Sequence, residues 1–317
     1  MIGSWIRLRR AGIVGINERN ASLIMPYNRR TQYPLVDDKL RTKELALEHA
    51  IPVPPLSGVI GTPHDIRNLD SIVKDHKDFV VKPAHGSQGD GIMVIVDRTR
   101  KGFYRTAGGR IVSPDGMSHH LSNALNGQYS LGGQPDQVLV EYRVDFDPIF
   151  EGITFQGVPD IRIVVYRGFP IMAMVRLPTK DSDGKANLHQ GAVGAGVDLV
   201  TGRTLTGVVG NRAVDEHPDT GEPIAGVVLP YWRDMLLTAS RCYDITKLGY
   251  LGVDLVLDAG RGPLMLELNA RPGLNIQLAN QDGIRRRISA IDALDRFDLP
   301  ADQRVDAAVA ALGGPRG

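Results

Sequence analysis

The chain has 317 residues, of which 42% are hydrophobic and 23% charged. That length and composition allow about two domains with a substantial core and exclude wholesale disorder. A formal net charge of +1 excludes an overall field that would hold nucleic acid or an anionic membrane, so partners must be read from local sites.

Cys242 is the only cysteine, so no disulfide within the chain and no thiolate metal cluster can form. It lies in an apolar helical run and reads as a small core residue. No apolar stretch approaches the roughly 18 residues that a spanning helix needs. The expectation is a protein of a reducing, cytoplasmic compartment without a transmembrane segment.

In chain order, residues 1–38 are basic and irregular, with Arg7, Arg9, Arg10, Arg19, Arg29 and Arg30. They read as a short N-terminal extension with a frayed or packed terminus; a contact helix for a membrane surface or a partner is the other reading. Asp37 or Asp38 caps a helix over 39–49, and 51–55 is an extended, proline-punctuated link. A polar helix over about 64–76 precedes a strand at 78–83, a glycine-rich turn at 85–91 and a strand at 92–97. The polar stretch 98–137 holds a helix near 118–125, and 137–144 is a strand.

Further along, 160–166 and 170–177 form a hairpin, and a polar loop spans 178–189. Residues 231–247 suit an amphipathic helix. Strands at 250–258 and 263–271 flank a turn, and 301–317 reads as a loose alanine-rich tail. Hairpins mixed with a few helices predict an α+β fold of two lobes with mainly antiparallel sheets. The expected division is 39–142 for the first lobe and 143–300 for the second.

The stretch VDLVLDAGRGPLMLELNARPG, residues 253–273, carries the first chemical signal. If its turn is symmetric about Gly260 and Arg261, Asp254 lies directly opposite Glu267. Asn269 is then on the same face, two residues on. Carboxylates facing at about 5 Å repel by about 3–4 kcal/mol at an effective dielectric of about 20. A shared proton, a nearby arginine or lysine, or a hard cation such as Mg²⁺ must offset this. Apolar residues at the alternate positions predict that only one face of the hairpin is buried. On the hairpin alone, a metal site and a solvated pair of acids fit equally well.

The second signal is FVVKPAHGSQGDGIMVI, residues 79–95. Lys82 ends an apolar strand, and Gly86, Gly89 and Gly91 follow within a short turn. Glycines let backbone N–H groups approach a polyphosphate, and the lysine adds a point charge. No Gly-Lys-Ser/Thr closes the turn, so it is not a Walker A loop, and no protein-kinase motif follows. Taken alone it fits an ordinary β-turn better; the carboxylate hairpin strengthens the phosphate reading.

With both hairpins in hand, the chain resembles the ATP-grasp superfamily, and within it the RimK-like α-L-glutamate ligases. The matching stretches run in the family's order: Asp38-Lys39-Leu40-Arg41, Ile51-Pro52-Val53-Pro54, Val80-Val81-Lys82-Pro83, the glycine turn, and Leu139-Val140-Glu141-Tyr142. Asp160-Ile161-Arg162, Asn187-Leu188-His189, Gly252-Val253-Asp254 and Leu266-Glu267-Leu268-Asn269 follow. Coverage is about residues 37–290. The resemblance implies two lobes that clamp ATP.

Carried over by position, Lys39 and Lys82 would contact the ATP phosphates. The turn His85, Gly86, Ser87, Gln88, Gly89 and Gly91 would fold over them. Glu141, Tyr142, Arg143 and Val144 would hold adenine, and Asp147 the ribose. Asp254, Glu267 and Asn269 would bind one or two Mg²⁺ ions, or Mn²⁺. Lys185 matches a cationic loop position that reaches the phosphates, beside Asn187 at the nucleotide. Arg162 and Arg176 would stabilise the transferring phosphoryl group or bind the carboxylate substrate.

Such ligases carry a preceding N-terminal domain, whereas 38 residues precede Lys39 here. On this reading the acceptor site is built from the basic N-terminus, from 98–137, or from another protomer of a homo-oligomer. The implied activity is ATP- and Mg²⁺-dependent ligation of a carboxylate, glutamate among the candidates, to the amine of a small molecule, peptide or protein. The alternatives are a phosphotransferase on the same scaffold and a non-catalytic ATP-binding regulatory protein.

Overall fold

The computed structural model describes residues 8–86, 89–99, 101–130 and 132–313. The chain forms two compact units: one joins 37–44 to 53–145, the other joins the N-terminal residues to 36, 45–52 and everything from Phe146 onward. Every strand pairing in both is antiparallel.

The first unit is a six-stranded sheet: β1 (Leu56–Ile60), β2 (Phe79–Pro83), β3 (Met93–Arg98), β4 (Tyr104–Thr106), β5 (Ile111–Val112) and β6 (Val138–Glu141), in the order β1-β6-β2-β3-β4-β5. Phe79 and Val81, alternate residues of β2, enter its core with Ile60 and Ile95. Helix α1 (Lys39–Glu48) begins at this unit, with Asp38 Oδ1 accepting from the Leu40 amide at 2.9 Å. Helix α2 (Pro114–Leu125) is capped by Ser113, whose hydroxyl accepts from Gly116 N, and buries Met117, Leu121, Ala124 and Leu125. The polar helix expected over 64–76 is shorter: a 3₁₀ turn, Asp65–Asn68, followed by the single turn Leu69–Ile72.

The second unit is a seven-stranded sheet: β7 (Asp160–Tyr166), β8 (Phe169–Leu177), β9 (Val193–Val197), β10 (Thr204–Val209), β11 (Arg212–Val214), β12 (Tyr250–Asp258) and β13 (Gly262–Asn269), in the order β11-β10-β9-β8-β7-β12-β13. Helices α3 (Trp232–Thr246), α4 (Asn275–Asn280), α5 (Ile284–Asp292) and α6 (Ala301–Leu312) belong to the same unit.

Three expectations are corrected here. Residues 1–38 are not an irregular extension where described: the chain is helical through Ile16–Glu18, a π-helical Arg19–Ile24 and Met25–Tyr27. Val14, Leu23 and Ile24 enter the core, and Asn28 Nδ2 donates to Tyr250 O and Ala270 O at 2.7 and 2.8 Å. The π turn removes the 3.6-residue period that would have marked a helix. Residues 301–312 are not loose: α6 buries Val305 and Ala308, and Arg304 Nη2 donates to Asp244 Oδ2 at 2.6 Å. Finally, every residue of β12 is buried, because the strand is interior to the sheet and charged side chains cover its second face.

Candidate functional site

The hairpin β12–β13 turns through three residues, 259–261, so that Asp258 faces Gly262. Asp258 Oδ1 builds that turn by accepting from Gly260 N and Arg261 N at 3.0 and 2.9 Å. This register would not pair the acids. A bulge at Leu266 shifts it by one residue, and beyond the bulge Asp254 faces Glu267 and Gly252 faces Asn269.

On its other side Asp254 faces Arg162 of β7, and Asp160 faces Arg176 of β8. Facing residues and those two apart share a sheet face, so Asp160, Arg162, Arg176, Asp254, Glu267 and Asn269 form one polar field. Arg162 Nε donates to Asp254 Oδ1 at 2.7 Å and Nη2 to Oδ2 at 2.5 Å. Arg176 Nη2 donates to Asp254 Oδ2 at 2.9 Å and to Asp160 Oδ2 at 2.6 Å, while its Nε donates to Asp160 Oδ1.

Burial opposes charge on Asp254, Asp160 and Arg176. It would raise the Asp254 carboxyl, but the Arg162 and Arg176 guanidiniums overcome it and hold that acid at about 2. Asp160 goes the other way: burial, reinforced by the Asp254 charge, outweighs Arg176 and lifts it to about 6. Arg176 is held above its ordinary value, since Asp160 and Asp254 outweigh its burial. Three carboxylates face two guanidiniums, which leaves a formal charge of −1 on the field.

Glu267 forms no hydrogen bond or ion pair among the described residues, and Asn269 Oδ1 accepts only from Arg271 N, at 2.8 Å. Asp254 is already a double counter-ion. Among the described residues no three His, Cys, Asp or Glu side chains gather to hold a metal ion. The donor set is therefore oxygen from Glu267, Asn269 and a partly occupied Asp254. That fits a hard divalent cation completed by water and phosphate oxygens, and does not fit an all-protein cage.

Arg162, Arg176 and Asn187 line one cavity of about 50 Å³, with His189, Gly273 and Asn275. Nη1 of each arginine makes no protein hydrogen bond among the described residues. Asn187 Oδ1 accepts from His189 N at 3.0 Å and shapes the 3₁₀ turn Leu188–Gln190. Lys185 is exposed and does not line this cavity. Asp147 caps the 3₁₀ turn Pro148–Phe150, with Oδ1 accepting from Ile149 N at 2.9 Å.

In the first unit, Lys82 and Glu141 are 6% and 3% exposed. Lys82 Nζ is 2.5 Å from Glu141 Oε1. Lys43, which sequence reasoning passed over, stands with its Nζ 2.9 Å from Glu141 Oε2. That approach lacks hydrogen-bond geometry, so among the described residues Oε2 is a buried oxygen that accepts no hydrogen bond. Burial would raise the Glu141 carboxyl, but Lys82 and Lys43 reverse this and depress it.

The glycine turn is anchored at its base. The His85 amide donates to Asp136 Oδ2 at 3.0 Å, His85 Nδ1 lies 2.7 Å from Asp136 Oδ1, and Gly86 bridges to Ser130. Lys39 Nζ donates to Gly86 O. Ser87 and Gln88 lie outside the described residues. Gly89 and Gly91 have φ of +82° and +75°, a region that side chains avoid. Of the expected adenine-binding stretch, the Tyr142 amide donates to Pro55 O at 2.9 Å, Arg143 Nη2 is 2.8 Å from Asp78, and Val144 is buried. The open Glu141 oxygen, the lysine and the two left-handed glycines fit a nucleotide.

Asp136, Asp160 and Lys43 were legible only by pairing. Asp160 faces Arg176 across the β7–β8 hairpin, and Lys43 lies one turn after Lys39 on α1.

Among known proteins, the ribosomal protein bS6–L-glutamate ligase of Shigella boydii is 26% identical over 249 residues, and a probable alpha-L-glutamate ligase of an Enterobacter species is likewise 26% identical over 249 residues. Each match spans 78% of this chain and 60% of the relative, so the chain covers about 60% of the length of these relatives. The D-alanine–D-alanine ligase of Bacillus anthracis, solved with ATP, aligns with a TM-score of 0.45 at 15% identity, over 89% of this chain and 69% of that one. The family described as sugar-transfer associated ATP-grasp matches residues 18–293. With most of the described chain inside that match, and both antiparallel sheets within it, the protein belongs to the sugar-transfer associated ATP-grasp family.

Proposed function

We propose that the chain is the catalytic core of an ATP-dependent carboxylate–amine ligase. The observation that carries this is the pair Arg162 and Arg176. Arg162 is held by Asp254, and Arg176 by Asp254 and Asp160, yet among the described residues each keeps Nη1 uncommitted beside a cavity whose volume, about 50 Å³, suits a carboxyl or phosphoryl group. The fixed fork of a guanidinium matches either group.

In this reading, Lys39, Lys82, Lys185 and the glycine turn bind the triphosphate. Glu141, with residues 142–144, takes adenine, and Asp147 the ribose. A divalent cation at Glu267, Asn269 and Asp254, with Mg²⁺ first and Mn²⁺ as its substitute, would neutralise phosphate charge. A substrate carboxylate oxygen attacks the γ-phosphorus and ADP leaves, giving an acylphosphate. An amine then attacks the acyl carbon, phosphate leaves, the nitrogen loses a proton, and an amide remains. Arg162 and Arg176 orient the carboxylate and stabilise the negative charge that moves through the first step.

The relatives' names support trying L-glutamate first as donor and a protein amine first as acceptor. The family's description mentions sugar transfer, and amino sugars, being sugars that carry an amine, join the acceptors to be tried. The test is a screen of amino acids, peptides and amino sugars for ADP formation, with mass spectrometry of products. Amine-dependent phosphate release with an amide product supports ligation. Phosphate transfer to a hydroxyl without an amine favours a phosphotransferase, and ATP binding without turnover under any condition favours a regulatory protein.

A further inference from the structure

Lys43 has no role in the site as read so far, yet it belongs to its most deeply buried charge cluster. It is 4% exposed, as deep as Lys82 and Glu141 beside it. Its Nζ donates to Pro54 O and stands 2.9 Å from Glu141 Oε2, while Lys82 holds Oε1 at 2.5 Å. Two cations thus share one anion, and a formal charge of +1 is buried with no further carboxylate paired to it among the described residues.

That surplus has a consequence for Lys82. If Lys82 and Glu141 were an isolated pair, the ammonium could reach a phosphate only by stranding a buried carboxylate, which is costly. With Lys43 in place, Glu141 keeps a counter-cation whichever way Lys82 turns. The shared proximity also weakens the hold of Glu141 on Lys82, because Lys43 draws on the same carboxylate charge. Burial makes Lys43 itself prone to lose its proton, and Glu141 opposes that loss.

We infer that Lys43 is a positioning residue of the nucleotide site: it touches no phosphate, but keeps Glu141 compensated so that Lys82 can be given to the triphosphate. The inference rests on the reading that Lys82 meets the nucleotide phosphates.

The test is calorimetric titration of the full chain with MgATP, comparing K43M, K43R, E141Q and the double variant K43M/E141Q. K43M leaves a neutral Lys82–Glu141 pair and should fold. Its affinity should fall about tenfold or more, while K43R stays within about threefold of the parent. In the double variant nothing holds Lys82 back, so its affinity should return to within about threefold of E141Q alone. Comparison with E141Q removes any direct effect of Glu141 on adenine.

A purely structural Lys43 would lower the melting temperature of K43M and leave its affinity for MgATP unchanged, and that result overturns the inference. So does a double variant that binds about tenfold or more weaker than E141Q alone. If the parent chain itself binds no MgATP, the nucleotide reading falls and takes this inference with it. An affinity loss confined to K43M, and relieved in the double variant, is the expected pattern.

Discussion

Asp254 on β12 and Arg162 on β7 stand directly opposite each other, and the guanidinium reaches both carboxylate oxygens, at 2.7 and 2.5 Å. Arg176 adds a third hydrogen bond to an acid that is only 2% exposed. Removing the acid would leave Arg176 with Asp160, and Arg162 with no hydrogen-bonded carboxylate among the described residues. Asp254→Ala is therefore expected to lower stability by about 3–5 kcal/mol, read from urea unfolding. A loss under about 1 kcal/mol would mean that the arginines do not depend on it.

Glu267 presents the opposite case. It faces Asp254 across the hairpin but has no hydrogen-bond or ion-pair partner among the described residues. Glu267→Gln keeps the shape of the side chain, so stability should change by less than about 0.5 kcal/mol. If the residue serves a divalent cation, ATP turnover should nevertheless fall by about 100-fold or more. Parent-like turnover would remove Glu267 from the metal set.

The facing of Asp254 and Glu267 could be read from sequence, although the route to it could not. Alternating apolar residues fix which side chains share a face, and that parity survives errors in the turn. The three-residue turn and the bulge at Leu266 are two offsets of one residue that cancel. The β7–β8 hairpin repeats the pattern: Tyr166 faces Phe169 at the turn, and an irregularity after Val164 brings Asp160 opposite Arg176. Strands β4 and β5 were missed because three and two residues are too few to show a period. The depth of Asp254 was missed for a different reason: nothing in one strand's alternation shows that arginines from two other strands will cover its polar face.

Gly89 and Gly91 separate two effects that glycine turns usually combine. Both have positive φ, but a Cβ on Gly89 meets nothing within 4 Å, whereas one on Gly91 would lie 2.6 Å from the Tyr129 ring. Gly89→Ala should cost about 1–2 kcal/mol, the backbone penalty alone. Gly91→Ala should cost clearly more, because the ring must also move. Thermal unfolding of the two variants side by side checks this; equal losses would mean that the ring gives way freely.

Cys242 offers a test of how α3 is held. The thiol is fully buried, and that burial pushes it up to about 12. A raised thiol pKa favours the neutral form, so at a pH of about 9, where an exposed cysteine is mostly thiolate, this one stays protonated as well as inaccessible. Native protein is therefore expected to show no reaction with an aromatic disulfide reagent at that pH, and one reactive thiol in denaturant. Because Ser240, on the same helix, donates to Gly168 O at 2.7 Å and Arg304 of α6 reaches Ser240 O, opening α3 should require loss of the surrounding sheet contacts. The labelling midpoint in urea should then coincide with the loss of helical circular dichroism. Labelling that outruns the dichroism change would show that α3 opens locally, as a unit less stable than the sheet beneath it.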